Sequence, residues 1–400
     1  MGPIFQSLQK KTSWERLQLT ESQQRMYAAE RLGNFRWICK MVATYSAYEL
    51  KEEDIVNQDL TLWLREIGQF AEIIYATPPL ESLLDNYDAM SQRGFPLEGY
   101  YALSPHPYPS SALPLSRTQR CSTLTSSGGD CTCARRRQQI IVSICGTASV
   151  QQAIQDLRAI RKVHPGASDS AVTVHTGFWD LYQGMKPALM EGIEVGLRTD
   201  PSEDELVVTG HSMGGAIAHL LCLDLLSPVS STSRHTSLQV ITFGEPRTGN
   251  QGLVDHWVEL KRRHEEDLGI PIREWSVKAY NDGVPALPLI TLGYRHFAQH
   301  PLYTINGKLY RIPHSEREFA LFKESGELNV PCAAALAYQA SLAAGNPRIP
   351  LSPLGGHNYY NERDLEGGFL RRLDWLMKSG FDKEGWEEKY RAIMEKYISA

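Results

Sequence analysis

From Gln138 onward, short apolar runs alternate with longer stretches whose apolar residues recur at helical spacing. Ile140–Ile144, Ala171–Val174, Leu206–Thr209, Leu238–Phe243 and Trp275–Tyr280 read as buried strands. Leu181–Gly196, Gly214–Leu226 and Gln251–Glu266 read as the helices between them. Tyr303–Ile312 reads as a β-hairpin turning on Asn306-Gly307, a pair suited to a type I′ turn. Strands alternating with helices predict an α/β fold, with a mostly parallel central sheet and helices on both faces.

Upstream, residues 13 to 93 are rich in helix formers, and Ser13 and Ser22 are suited to capping short helices. Between Leu60 and Tyr75, the residues Leu60, Leu64, Ile67, Ala71, Ile74 and Tyr75 share one helical face. The predicted organisation is a helical N-terminal extension over 1–95, lying against the main body. A first strand region of the body over 96–103 follows. Residues 104–137 are rich in Pro, Ser and Thr and predict a flexible surface loop. The main domain over 138–400 closes with a C-terminal helix, Gly385–Ile398, whose Trp386, Tyr390, Ile393, Met394 and Tyr397 form one face.

The 400 residues, 42% of them apolar, suffice for a sizeable core. A net charge of -5 excludes the basic footprint of a nucleic-acid binder, and Arg135-Arg136-Arg137 is too local to change that. No apolar run is long enough to span a bilayer, and Ala333–Ala344 is interrupted by Gln339. Met1–Thr20 has no continuous apolar segment of the secretory kind. Gly2 is followed by Pro3, with Gln6 where myristoylation wants Ser or Thr. Seven cysteines, an odd number, and the lack of an N-x-S/T site lean towards a reducing, cytoplasmic setting. Cys121, Cys131 and Cys133 lack the paired spacing of a zinc site, so no metal and no cofactor is expected.

The chemistry concentrates at Gly210-His211-Ser212-Met213-Gly214-Gly215, directly after the run Leu206–Thr209. A G-x-S-x-G between strand and helix is the pattern of a nucleophile elbow, a reversal so sharp that the serine hydroxyl is thrust outward. Serine needs a base to take its proton and an acid to hold that base. Asp282 follows the Trp275–Tyr280 strand and precedes a proline-stiffened loop, although Asn281 and Gly283 also suit it to starting a turn. His357 sits behind Gly355-Gly356, with His296, His300 and His314 as competing bases. For an oxyanion hole, the main-chain N–H of Met213 is one donor and Thr147, after the Ile140–Ile144 strand, another. Gly146-Thr147 also reads as a strand-ending turn with a helix cap.

The stretch from Ile140 to Tyr360 resembles the class 3 lipases, the fungal triacylglycerol lipase family of α/β-hydrolases. Six separated motifs match in order: Gly146-Thr147, Val174–Phe178, Gly210–Gly215, Phe243–Asn250, Asn281-Asp282 with Val284-Pro285 and Leu287-Pro288, and His357 with Tyr360. The resemblance implies the α/β-hydrolase fold, a triad of Ser212, Asp282 and His357, and oxyanion donors Thr147 and Met213. By it, His175, Pro246 and Arg247 are scaffold. Cys145 departs from the family's Arg before the oxyanion glycine, and the amphipathic stretch Val150–Val163, the lid by resemblance, lacks the family's Trp near Ala153. The implied activity is hydrolysis of acyl glycerides or related lipid esters, at a membrane or droplet surface. The rivals are a phospholipase A1 or short-chain esterase on the same residues, and a silent lipase-like protein that binds lipid or a partner.

Overall fold

Successive residues of the central strands enter two different cores, and this divides the molecule into layers. The computed structural model describes residues 44–103, 122–126, 129–136, 139–146, 160–166, 169–199, 205–227, 237–280, 282–325, 356–381 and 383–398. It opens with β1 (Tyr45–Leu50) and helices α1 (Gln58–Ile73), α2 (Leu80–Asp85) and α3 (Tyr87–Met90). Strands β2 (Ser122–Ser126), β3 (Gly129–Arg136), β4 (Gln139–Ile144), β5 (Arg161–Val163) and β6 (Thr173–His175) follow. The alternating part runs α4 (Thr176–Thr199), β7 (Glu205–His211), α5 (Met213–Leu225), β8 (Ser237–Phe243), β9 (Gly249–Asn250), α6 (Gln251–Leu268) and β10 (Arg273–Ala279). Then come β11 (Tyr294–Arg295), β12 (Pro301–Ile305), β13 (Lys308–Arg311) and β14 (Leu321–Glu324). The chain closes with β15 (Tyr359–Tyr360), β16 (Arg363–Asp364), α7 (Arg371–Ser379) and α8 (Trp386–Ile398).

The main sheet has the order β13-β12-β10-β8-β7-β4-β3-β2. Its inner pairs β4–β7, β7–β8, β8–β10 and β10–β12 are parallel, and both margins are antiparallel. Ile140, Val142, Leu206, Val208, Leu238 and Val240 pack with α4, α5 and α6 on one face. Ile141, Val207, Ile241 and Val277 pack with α1, α7 and Tyr390 of α8 on the other. A strand buried on both faces has no polar side to show, which is why these segments read as unbroken apolar runs. The result is the predicted α/β architecture, a mostly parallel central sheet with helices on both faces. In the β12–β13 hairpin, Asn306 and Gly307 have φ of 52° and 73°, as a type I′ turn requires.

Several expectations need correction. Residues 96–103 form turns, not a strand: the N–H groups of Tyr101 and Ala102 both bond the Gln69 side chain, which takes the place of a ladder. Within the 104–137 segment, β2 and β3 form an antiparallel hairpin that extends the sheet beyond β4. The Pro-, Ser- and Thr-rich composition predicts a loop, but threonine is also a strand former, and pairing with β4 supplies the ladder that composition does not reveal. The helices expected near the N-terminus are present between residues 58 and 90, preceded by β1, which pairs with β14. At the end of the expected lid stretch, Arg161–Val163 is a strand paired with β6, not helix, because its backbone groups bond across that ladder. Ser13, Ser22, Cys121, Thr147, residues 150–159, Asn281 and Ala333–Ala344 lie outside the described residues.

Candidate active site

The chain reverses sharply between β7 and α5. Ser212 occupies it with φ 59° and ψ −131°, a left-handed backbone that only a constrained non-glycine residue keeps. Its N–H bonds the Phe243 carbonyl at 2.8 Å and its carbonyl accepts from Gly215 at 2.9 Å. The flanking glycines are steric necessities. A β-carbon on Gly210 would stand 2.3 Å from the carbonyl carbon of Gly214, and one on Gly214 would stand 2.1 Å from the Ile144 carbonyl oxygen. Met213 opens α5, at the end of a helix where main-chain N–H groups point along the axis and favour negative charge.

Three side chains distant in sequence meet here. The Ser212 hydroxyl lies 2.8 Å from Nε2 of His357, and Nδ1 of His357 lies 3.1 Å from each Asp282 carboxylate oxygen. Asp282 is fully buried just beyond β10. Burial alone would raise its pKa, but the His357 ring, the Tyr360 hydroxyl and the Val284 N–H outweigh it and hold the carboxyl below its ordinary value. Tyr360 donates to Oδ2 at 2.5 Å and the Val284 N–H to Oδ1 at 2.9 Å. The carboxylate is thus satisfied on both oxygens, so Nδ1 of His357 carries the proton towards Asp282 and Nε2 is left to accept from Ser212.

The other histidines are committed elsewhere. Nε2 of His296 donates to the Pro285 carbonyl, His300 packs on Trp275, and His314 contacts Gln299 and Arg317. His175 stacks on Phe178 with ring centroids 4.1 Å apart, as scaffold. Arg247 is buried and binds Glu318 together with the carbonyls of Ala286 and Pro288, so it clamps the loop that follows Asp282. Pro246 leads into that clamp. Thr147 is outside the described residues, while Gly146 before it is packed against His211 and Ser212.

Four residues packed around the three side chains escaped the sequence reading of roles: Tyr360, Gly244, Tyr75 and His211. Tyr360 stands in the matched His357–Tyr360 motif and His211 in the elbow, so both carried a positional signal. Gly244 has φ +60°, and a β-carbon there would lie 2.8 Å from both Asp282 Oδ2 and the Tyr360 hydroxyl. Tyr75 carried no signal beyond its place on an apolar face.

Residues 141–292 match the family model described as Lipase (class 3). This part of the chain is similar to the class 3 lipases. The secreted mono- and diacylglycerol lipase A of Penicillium cyclopium is 25% identical over 175 residues, 44% of this chain and 51% of that protein. The lipase of Rhizomucor miehei is 30% identical over 167 residues, 42% of each. The chain therefore spans about half the length of the curated relatives it matches. The solved propeptide complex of Rhizomucor miehei lipase aligns with TM-score 0.48 and 21% identity, covering 68% of this chain and 79% of that one. The cytoplasmic expectation is overturned by the relatives named as secreted lipases. The thiol count misled because buried cysteines behave as small apolar side chains: Cys131, Cys145 and Cys222 are all buried.

Proposed function

We propose that this protein is a serine carboxylester hydrolase of the lipase type, cleaving acyl-glycerol or related lipid esters through Ser212, His357 and Asp282. The observation that carries the reading is the continuous row from the Ser212 hydroxyl through His357 to Asp282, at 2.8 and 3.1 Å, built on a strained strand-to-helix bend. His357 Nε2 takes the Ser212 proton as Oγ attacks the ester carbonyl. The N–H of Met213, with Thr147 as second donor, holds the oxyanion. His357 then protonates the departing alcohol, leaving an acyl-enzyme on Ser212. Water, deprotonated by the same imidazole, releases the fatty acid. Asp282 stays ionised throughout, orienting the ring and stabilising its cationic form. The similarity to mono- and diacylglycerol lipases supports glycerides as the ester class.

The test is turnover of p-nitrophenyl esters across a chain-length series. Medium to long acyl chains are expected to be preferred, and Ser212→Ala should lose orders of magnitude in kcat. A preference confined to acetate, or to phospholipid vesicles, would move the protein to the esterase or phospholipase reading. Full turnover by Ser212→Ala would remove the mechanism.

A further inference from the structure

The steps above leave His211, the histidine next to the nucleophile in sequence, without a role. It is the last residue of β7 and is buried. Its Nε2 lies 2.7 Å from the main-chain carbonyl oxygen of His357. A carbonyl can only accept, so Nε2 carries a proton. Burial, and then the neighbouring His357, push the His211 pKa down to about 3, so the ring is neutral and Nδ1 bears a lone pair. The Tyr75 hydroxyl, 2.9 Å away, is then the donor to Nδ1. Burial holds Tyr75 well above its ordinary pKa, so that hydroxyl keeps its proton.

The donors therefore run in one direction, from Tyr75 O–H to His211 Nδ1 and from His211 Nε2–H to the His357 carbonyl. Two further contacts bear on this arrangement. The His211 and His357 rings lie 4.6 Å apart at 32°, so a cationic His211 would oppose the imidazolium that His357 must become. On the other side, a β-carbon on Gly146 would come within 2.2 Å of the Tyr75 hydroxyl and 3.1 Å of Ser212 Cβ. Tyr75 thus touches the turn that leads to Thr147, the base support and the nucleophile's surroundings together.

We propose that Tyr75 and His211 are positioning residues for the ester hydrolysis, holding the main chain of His357 so that its ring bridges Ser212 and Asp282. This rests on the hydrolase reading of Ser212. It also gives α1 a part in the chemistry, since Tyr75 follows directly on its C-terminal end. A purely space-filling role makes a different forecast, because phenylalanine fills the space of histidine without donating, whereas glutamine can donate without the ring.

The experiment measures kcat and KM on p-nitrophenyl butyrate, with thermal melting in parallel, for the wild type and four variants. These are Tyr75→Phe, His211→Gln, His211→Phe and the Tyr75→Phe/His211→Phe double variant. His211→Phe is expected to lose about 10- to 100-fold in kcat with KM nearly unchanged, as for a displaced catalytic group. Tyr75→Phe should lose about 3- to 10-fold, roughly one neutral hydrogen bond. His211→Gln should recover most of the His211→Phe loss, and the double variant should be no slower than His211→Phe alone. The proposal is overturned if folded His211→Phe and Tyr75→Phe keep wild-type kcat, if His211→Gln is as slow as His211→Phe, or if the losses fall on KM. Should His211→Phe fail to fold, Tyr75→Phe decides: wild-type kcat overturns the proposal and the stated loss at constant KM sustains it. A wild type without esterase turnover overturns the hydrolase reading and this inference with it, a result distinct from an active enzyme indifferent to both residues.

Discussion

Asp282 is the residue on which the candidate site turns, because a buried carboxylate survives only when its oxygens are occupied. Tyr360, Val284 and His357 occupy them here. Tyr360→Phe removes a charge-assisted bond and is expected to cost about 1.5–3 kcal/mol of stability, read as a lower urea midpoint at unchanged slope. Asp282→Asn should keep the fold yet lower kcat by roughly 10⁴, because the amide favours the wrong histidine tautomer. Stopped assays on purified, folded variant check it, and a loss under tenfold would contradict the assignment. Ser212 was legible in sequence because the tight bend around it leaves no room for a β-carbon at Gly210 or Gly214. From the residues alone His357 was not separable from His296, His300 and His314, since a histidine's role is fixed by partners that the folded chain supplies, and it was the family resemblance of the His357–Tyr360 motif that singled it out.

At the scale of elements, the base loop is held from the N-terminal side of the chain. Arg363 of β16 binds Glu72 of α1 at 2.6 Å, and Tyr100 and Asn361 bond the same carboxylate. Breaking a largely buried pair by removing one partner costs about 3–5 kcal/mol. Arg363→Met is therefore expected to melt well below the wild type, and double replacement with Glu72→Gln should recover part of the loss. Differential scanning calorimetry of the three variants checks this; independent, additive losses would contradict it. The apolar period of α1 was readable, but its polar contacts were not, because Glu72 and Arg363 are 291 positions apart. The β2–β3 hairpin was missed for a related reason: marginal strands draw on pairing partners rather than on their own apolar content.

Over the whole molecule, the two faces of the sheet depend on different stretches of chain. Because α1 supplies Leu64, Ile67 and Phe70 to the core over Ile141, Val207 and Ile241, removal of residues 1–95 is expected to yield aggregated protein rather than a trimmed enzyme. Soluble, active truncated protein in size-exclusion chromatography would contradict that. On the other face, His219 of α5 lies between Glu245 and Glu274 at 2.8 and 3.3 Å. Burial would lower its pKa, but the two carboxylates carry it up to about 9. A folded value above the ordinary 6.5 means the stabilisation is complete below pH 6.5 and is lost as pH rises through about 9. The melting-temperature gap between wild type and His219→Gln is therefore expected to shrink from pH 6 to pH 10. Comparing the two proteins cancels Lys278, whose buried amine is held down to about 7 and acts in the opposite sense.

The most direct test of the central claim is covalent labelling of the intact chain with a fluorophosphonate, located by peptide mass. One phosphonyl group on the peptide containing Ser212, formed rapidly by the wild type and at least about a hundredfold more slowly by His357→Ala, is the expected result. An unlabelled wild type, or labelling at the same rate without the His357 imidazole, would contradict the account.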